Sequence, residues 1–261
     1  MAITSPHNAK ITFVRALLSR RRERNAQQMF VVEGVRLVEE VLHAGWQIKL
    51  VLFSPKISER GRSLIRQLQH HSTDIEETTV ELLHSISATE TSQGILTVVQ
   101  KRELPLPLKL DFVVIADAIS DPGNLGTILR TCAAAGVQAV LLSPGSVDAF
   151  SPKVVRSAMG AHFHLPILTR SWPEMISLFA GYSPSLRLIA ADARQGTDCW
   201  SMDLRQPLAL VIGSEAEGLT LEAVQSMHAW VRIPMPGKSE SLNAAIAASI
   251  LVFEIVRQRY K

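Results

Sequence analysis

The sequence predicts an α/β protein in two parts: a smaller α/β domain over residues 1–100 and a larger one, built on a parallel sheet, over 111–261. Three observations carry this. Short apolar runs alternate with amphipathic stretches through the first hundred residues. Phe112–Ala116, a helical stretch from about Leu125 to Ala135, and Val137–Leu142 form a βαβ unit, and Phe112–Ala116 is the continuous apolar run of a parallel strand buried on both faces. Between the two parts, Lys101–Leu110 (KRELPLPLKL) holds two prolines and neither periodicity, so residues 101–110 read as the linker.

In the first part, Lys10 to Arg22 reads as an amphipathic helix with Ile11, Val14, Leu17 and Leu18 on one face. It runs into the basic string Arg20-Arg21-Arg22-Glu23-Arg24. A basic run at a helix end complements the dipole and is commonly solvated; its alternative use is phosphate contact, for which the planar guanidinium fork is suited. Phe30–Gly34 reads as a strand entering a tight turn, Arg36–Ala44 as a helix stopped by Gly45, and Ile48–Phe53 as a second strand. Ser58–His71 follows as a helix and Gly94–Gln100 as the last strand.

In the second part the apolar run 112–116 meets the loop Asp117–Asn124, and Asn124 is expected to cap the helix that Gly136 ends. Gly123 and Gly126 stand three apart, so the dinucleotide fingerprint fails, and no phosphate-binding P-loop string is present. Ser151–Ala158 reads as a helix with Pro152 in its first turn, and Pro166-Ile167 begins a connector. Leu186–Ala191 is a strand followed by the loop Ala193–Gly196, and Leu208–Ile212 is a central strand. The loop Gly213–Leu219 comes next, with a helix starting near Thr220. Glu215 and Glu217 are two carboxylates in that loop with no nearby histidine or third carboxylate, so the glycines around them suit a ligand's close approach better than a metal. Glu217 is expected to be exposed.

The end of the chain concentrates the most information. Trp230–Met235 reads as a strand, Pro236-Gly237-Lys238 as a turn, and Ser239–Asn243 as a polar patch opening a long helix from Ala244 to about Arg257. A strand that leaves through such a loop into a helix aims amides and hydroxyls at one point. The helix is apolar nearly all round, with alanines at 244, 245, 247 and 248, so several faces should be buried, which leaves room for one face to pack on its own sheet and another on a second subunit.

Three strings carry a resemblance. Asn124, Gly126, Arg130 and Gly136 stand on the pattern N-x-G-x-x-x-R-x-x-x-x-x-G. The loop 213–219 follows G-N-E-G-x-G-L, with Ser214 in place of Asn and Ala216 in place of Gly. Ile233–Ala244 reads I-P-M-x-G-x-x-x-S-L-N-A. Together these resemble the motifs of the SpoU/TrmH branch of the SPOUT RNA methyltransferases. Arg24–Glu40 (R-x-x-x-x-x-F-x-V-E-G-x-R-L-V-x-E) and Thr91–Leu96 are similar to the L30e-like substrate-binding domain that precedes the catalytic domain in many such enzymes.

The resemblance implies a C-terminal SPOUT domain with a deep trefoil knot, which general folding rules would otherwise exclude. It also implies a homodimer with the cofactor pocket near the interface. S-adenosylmethionine is the expected cofactor, held by Gly213, Ile233, Met235, Ser241 and Leu242. Arg130, Asn124, Glu215, Ser241 and Asn243 are the expected catalytic group, with Glu215 organising its loop by bonding Arg130 or loop amides. Because a guanidinium stays protonated to above pH ~12, Arg130 suits holding a phosphate and stabilising charge on the attacking oxygen, not resting as a general base. Arg20, Arg21, Arg22, Arg24 and Arg36 are the expected RNA contacts.

Composition sets the bounds. With 47% apolar and 20% charged residues the chain has an ordinary globular profile. No leader pattern and no membrane-spanning apolar run is read, and the two cysteines, Cys132 and Cys199, lack any metal-ligand spacing, so a reduced, metal-free cytoplasmic protein is expected. The net charge is +3, but residues 1–102 hold 14 basic and 10 acidic residues and the remainder 13 and 14. The positive excess thus falls where an anionic partner would bind. The expected activity is methylation of a ribose 2′-hydroxyl in structured RNA, with large-subunit ribosomal RNA ahead of transfer RNA. The rival from another class is a non-catalytic RNA-binding protein retaining the fold.

Overall fold

The computed structural model describes residues 2–70, 74–87, 89 and 92–260. His71, Thr91 and Lys261, which fall in stretches read above, lie outside them. The chain forms two compact units, Met1–Arg102 with Phe150–Phe163, and Glu103–Ala149 with His164–Lys261.

In the first unit, α1 (Ala9–Ser19) is capped by Asn8, whose side chain accepts from the Lys10 amide. The single helix expected over Lys10–Arg22 is two: Arg20 is extended (φ −123°, ψ 114°) and α2 (Arg21–Gln27) starts afresh. The break has a tertiary cause. It lets Arg24 turn inward, where its Nη1 donates to the carbonyls of Leu17 (2.6 Å) and Leu18 (3.3 Å), last-turn groups of α1. The remaining elements are β1 (Met29–Glu33), α3 (Val35–His43), β2 (Ile48–Phe53), α4 (Glu59–Gln69), β3 (Asp74–Glu77), α5 (Val80–Ile86) and β4 (Ile95–Gln100). The sheet order is β1-β4-β2-β3; β4 runs antiparallel to both neighbours and β3 parallel to β2. Ile11, Val14 and Leu17 of α1 bury against Val31, Leu50, Leu52, Leu96 and Val98 of the sheet.

The second unit begins with β5 (Phe112–Ala116), α6 (Pro122–Ala134) and β6 (Ala139–Leu142). Then α7 (Pro152–Ser157) lies in the stretch that packs in the first unit. There Phe150 meets Phe30 edge-on at 4.9 Å, Phe163 meets Trp46 at 5.4 Å, and Trp46 Nε1 donates to the Phe163 carbonyl (3.3 Å). The division read from sequence, 111–261 as one block, therefore differs in this stretch, whose aromatic residues complete the core around Phe30.

The second unit continues with β7 (Ile167–Thr169), α8 (Trp172–Ala180), β8 (Arg187–Ala191), β9 (Thr197–Asp198), β10 (Leu208–Ile212), α9 (Leu221–Ser226), β11 (Ala229–Arg232) and α10 (Ala244–Arg259). These strands form a seven-stranded sheet, order β7-β6-β5-β10-β8-β11-β9, parallel throughout. Every residue of the central pair β5 and β10 is buried, the reason both read as unbroken apolar runs. The strand expected over Trp230–Met235 ends at Arg232, freeing Ile233–Met235 for the loop. No helix among the described residues is long and apolar enough to cross a membrane.

Candidate active site

In an open parallel sheet the loops at the carboxyl ends of the strands share one edge, where ligands commonly bind. Here the loops after β8, β10 and β11, with the start of α10, enclose a cavity of about 640 Å³. All five residues assigned to cofactor binding, Gly213, Ile233, Met235, Ser241 and Leu242, line it, as does Glu215.

The loop after β10 is closed on itself. The Ser214 and Gly218 amides each donate to the other residue's carbonyl at 2.9 Å. A Cβ built on Gly213 would stand 2.6 Å from Gly218 backbone atoms and 2.9 Å from the Leu219 nitrogen, so only glycine lets this wall close. At its far end, Asp117 follows β5 as a buried carboxylate that accepts from the Thr220 amide (2.7 Å), the Thr220 hydroxyl (3.3 Å) and Trp172 Nε1 (3.1 Å). Sequence reasoning placed Asp117 only in a loop. A carboxylate directly after a buried strand was the signal available.

Glu215 Oε1 gathers three donors: Asn124 Nδ2 (2.8 Å), Asn243 Nδ2 (2.5 Å) and the Ala244 amide (2.8 Å). Asn243 Nδ2 also donates to Asn124 Oδ1 (2.9 Å), and Asn243 Oδ1 caps α10 by accepting from the Ala245 (3.0 Å) and Ile246 (3.2 Å) amides. Donors from the first and third motifs thus meet on one oxygen supplied by the second, beside the positive end of a helix. Two expectations need correction. Asn124 is not the cap of α6; Asp121 is, its Oδ1 accepting from the Asn124 amide (2.8 Å), because Pro122 already occupies the first turn. Nor does Glu215 bond Arg130. That residue is exposed further along α6, and its side chain makes no hydrogen bond or ion pair among the described residues.

The loop after β8 is held by Asp192, whose Oδ1 accepts from the Arg194 (2.7 Å) and Gln195 (3.0 Å) amides. The end of α10 is anchored by Arg259, which donates to the carbonyls of Gln206 (2.8 Å) and Asp111 (3.1 Å) and stacks over Phe112 (4.9 Å). Burial lowers its pKa, opposed by the Asp111 carboxylate. Of the basic residues assigned to RNA, Arg20, Arg21, Arg22 and Arg36 are exposed, whereas Arg24 is only 4% exposed and serves α1 as described. Burial removes it from the set of phosphate contacts. Among the described residues no three His, Cys, Asp or Glu side chains gather as metal ligands.

Residues 8–97 match the MRM3-like substrate binding domain. The chain is 31% identical over 253 residues to the 23S rRNA (guanosine(2553)-2′-O)-methyltransferase RlmP of Bacillus subtilis, covering 97% of this chain and 98% of that one. It superposes on an AdoMet-bound rRNA methyltransferase from Sinorhizobium meliloti with a TM-score of 0.87 at 29% identity, over 98% and 97% of the two chains. It likewise superposes on the SpoU methyltransferase AviRb from Streptomyces viridochromogenes in complex with AdoMet, TM-score 0.86 at 30% identity, over 97% and 99%. The parallel-sheet unit thus has the SPOUT methyltransferase fold, and with residues 111–253 matching its description the chain belongs to the SpoU rRNA Methylase family.

Proposed function

We propose that this protein is an S-adenosylmethionine-dependent methyltransferase acting on a ribose 2′-hydroxyl of large-subunit ribosomal RNA. One observation carries the reading: the cavity at the strand ends is walled by Gly213, Ile233, Met235, Ser241 and Leu242, in a chain similar over nearly its whole length to a 23S rRNA 2′-O-methyltransferase. The cavity suits the cofactor in size, within the roughly 300–1,000 Å³ of small-molecule sites. Ile233, Leu219 and Leu242 offer apolar walls to a flat ring, and the glycine at 213 leaves backbone groups facing the ligand.

The cofactor supplies a methyl group on a sulfonium, open to in-line displacement without a metal. The chain's own residues align and stabilise. Arg130 holds the phosphate next to the reacting ribose and stabilises negative charge growing on the attacking oxygen. Ser241 and Asn243 stand near the incoming ribose. Glu215 and Asn124 position Asn243 and the first amide of α10 by the bonds described.

Residues 1–100 act as the RNA substrate-binding domain, 101–110 as the linker and 111–261 as the methyltransferase domain, whose final segment forms the trefoil knot. Arg20, Arg21, Arg22 and Arg36 meet RNA phosphates. The enzyme works in the cytoplasm as a homodimer through α10, where Ile246, Ile250 and Phe253 are 50%, 37% and 49% exposed along one face. The test is transfer of labelled methyl from S-adenosylmethionine to unmodified ribosomal RNA, with nuclease mapping. Label on a single ribose 2′-oxygen is expected; cofactor binding without any transfer to ribosomal RNA or its assembly particles would overturn the substrate, and no cofactor binding would favour the non-catalytic RNA-binding rival.

A further inference from the structure

An α-amino-acid end is a zwitterion: a carboxylate and an ammonium a few ångströms apart. A site for it needs a cation and an anion at matching separation, held by elements that do not move together with the ligand. The mouth of the cavity has such a pair. Arg194, in the loop after β8, is the only cationic side chain among the described residues that line the cavity. Its guanidinium stands 3.7 Å from the Glu240 carboxylate, in the loop after β11, beside the lining residue Ser241.

The platform under Arg194 is rigid. Asp192 fixes the Arg194 and Gln195 amides, and Gly196 (φ +105°) packs so close to Trp230 that a Cβ would fall 2.4 Å from its carbonyl oxygen. The ion pair above is loose by contrast. Both side chains are more than four-fifths exposed, and at 3.7 Å the contact is longer than a charge-assisted hydrogen bond, so it is easily exchanged for better partners.

We propose that Arg194 and Glu240 form a clamp for the α-amino-acid end of the cofactor, Arg194 taking its carboxylate and Glu240 its ammonium. The two groups satisfy one another when the cavity is empty and part to accept the ligand's complementary charges. This inference rests on the cofactor assigned above.

The test compares S-adenosylmethionine with its decarboxylated analogue, which keeps the ammonium and lacks the carboxylate, by calorimetric titration of wild type, Arg194→Gln and Glu240→Gln. Arg194→Gln weakens S-adenosylmethionine about five- to tenfold and leaves the analogue within about twofold. Glu240→Gln weakens both ligands. Unchanged melting temperatures confirm that both variants fold. Wild-type affinity of Arg194→Gln for S-adenosylmethionine overturns the clamp, and so does an equal loss for both ligands. A raised KM for RNA with unchanged cofactor affinity overturns it too, giving Arg194 to an RNA phosphate. Wild-type protein that binds neither ligand refutes the cofactor assignment itself, and the clamp falls with it.

Discussion

Arg24 sits in a basic string that invites an RNA role, and its burial makes the opposite prediction. The perturbation is Arg24→Ala, with Arg24→Met as a companion that keeps much of the aliphatic volume. The side chain is 4% exposed and makes a 2.6 Å bond to the Leu17 carbonyl and a 3.3 Å bond to that of Leu18. A buried hydrogen bond from a charged donor contributes about 1.5–3 kcal/mol, and a cation at a helix C-terminus adds about 0.3–1 kcal/mol. Losing both, with the packing of the stem, costs about 3 kcal/mol, a large part of a typical unfolding free energy of about 5–15 kcal/mol. Native-state hydrogen exchange reads this locally: protection of the α1 amides should fall by about two orders of magnitude in Arg24→Ala. The methionine variant recovers the packing share only. The comparator is Arg21→Ala with Arg22→Ala, exposed positions whose joint loss should weaken RNA binding and flatten its salt dependence while α1 protection and cofactor affinity stay unchanged. If Arg24→Ala left α1 protection intact and instead reduced the salt slope, the structural reading of Arg24 would be wrong.

Arg130→Ala should lower the methyl-transfer rate by about 10²–10³-fold with cofactor affinity within about twofold, measured by single-turnover assay and titration. Gly213→Ala should cost cofactor affinity by more than about tenfold, because its Cβ meets Gly218 backbone at 2.6 Å and the wall must open; an unchanged Kd would contradict that contact. The proposed dimer through α10 makes Phe253→Asp, on its exposed face, sediment as a monomer at concentrations where the wild type sediments as a dimer; a wild type that is monomeric throughout would refute that proposal. Glu254 is buried, and its hydrogen bonds from Arg257 hold its carboxyl below the ordinary value. A depressed carboxyl contributes stability that is present in full above its unfolded pKa and is lost as pH falls through the folded one. The urea-midpoint gap between wild type and Glu254→Gln should therefore shrink on acidification, and a constant gap would count against the pairing.

Legibility followed burial. The runs Phe112–Ala116 and Leu208–Ile212 were read with their exact bounds, since parallel strands covered on both faces admit little but apolar residues. The edge strand β3 (Asp-Ile-Glu-Glu) carries one apolar residue and shows itself only through its pairing with β2. The helix α8 was missed although its capping box, Ser171 with Glu174, and Pro173 in the first turn stood in the sequence. Pro122 likewise pointed to Asp121 as the cap of α6, a signal passed over in favour of Asn124. The break at Arg20 had no local signal, because arginine is a good helix former and the cause is a contact made by Arg24. At the site, spacing named the residues lining the cavity; that Glu215 would join Asn124 and Asn243 on one oxygen depends on strand order, which no spacing encodes.

The exchange of Phe150–Phe163 into the first unit bears on how this protein can be taken apart. The chain passes between the units at 102/103, at 149/150 and again at 163/164, so one cut in the linker does not release two self-sufficient pieces. A fragment ending at 102 would lack the rings that cover Phe30 and Trp46. A fragment starting at 103 would carry Phe150 and Phe163 uncovered on an orphaned loop. Each half should be recovered intact only when that segment is grafted onto the first and bridged out of the second, a dissection that follows contacts and not the order of the chain.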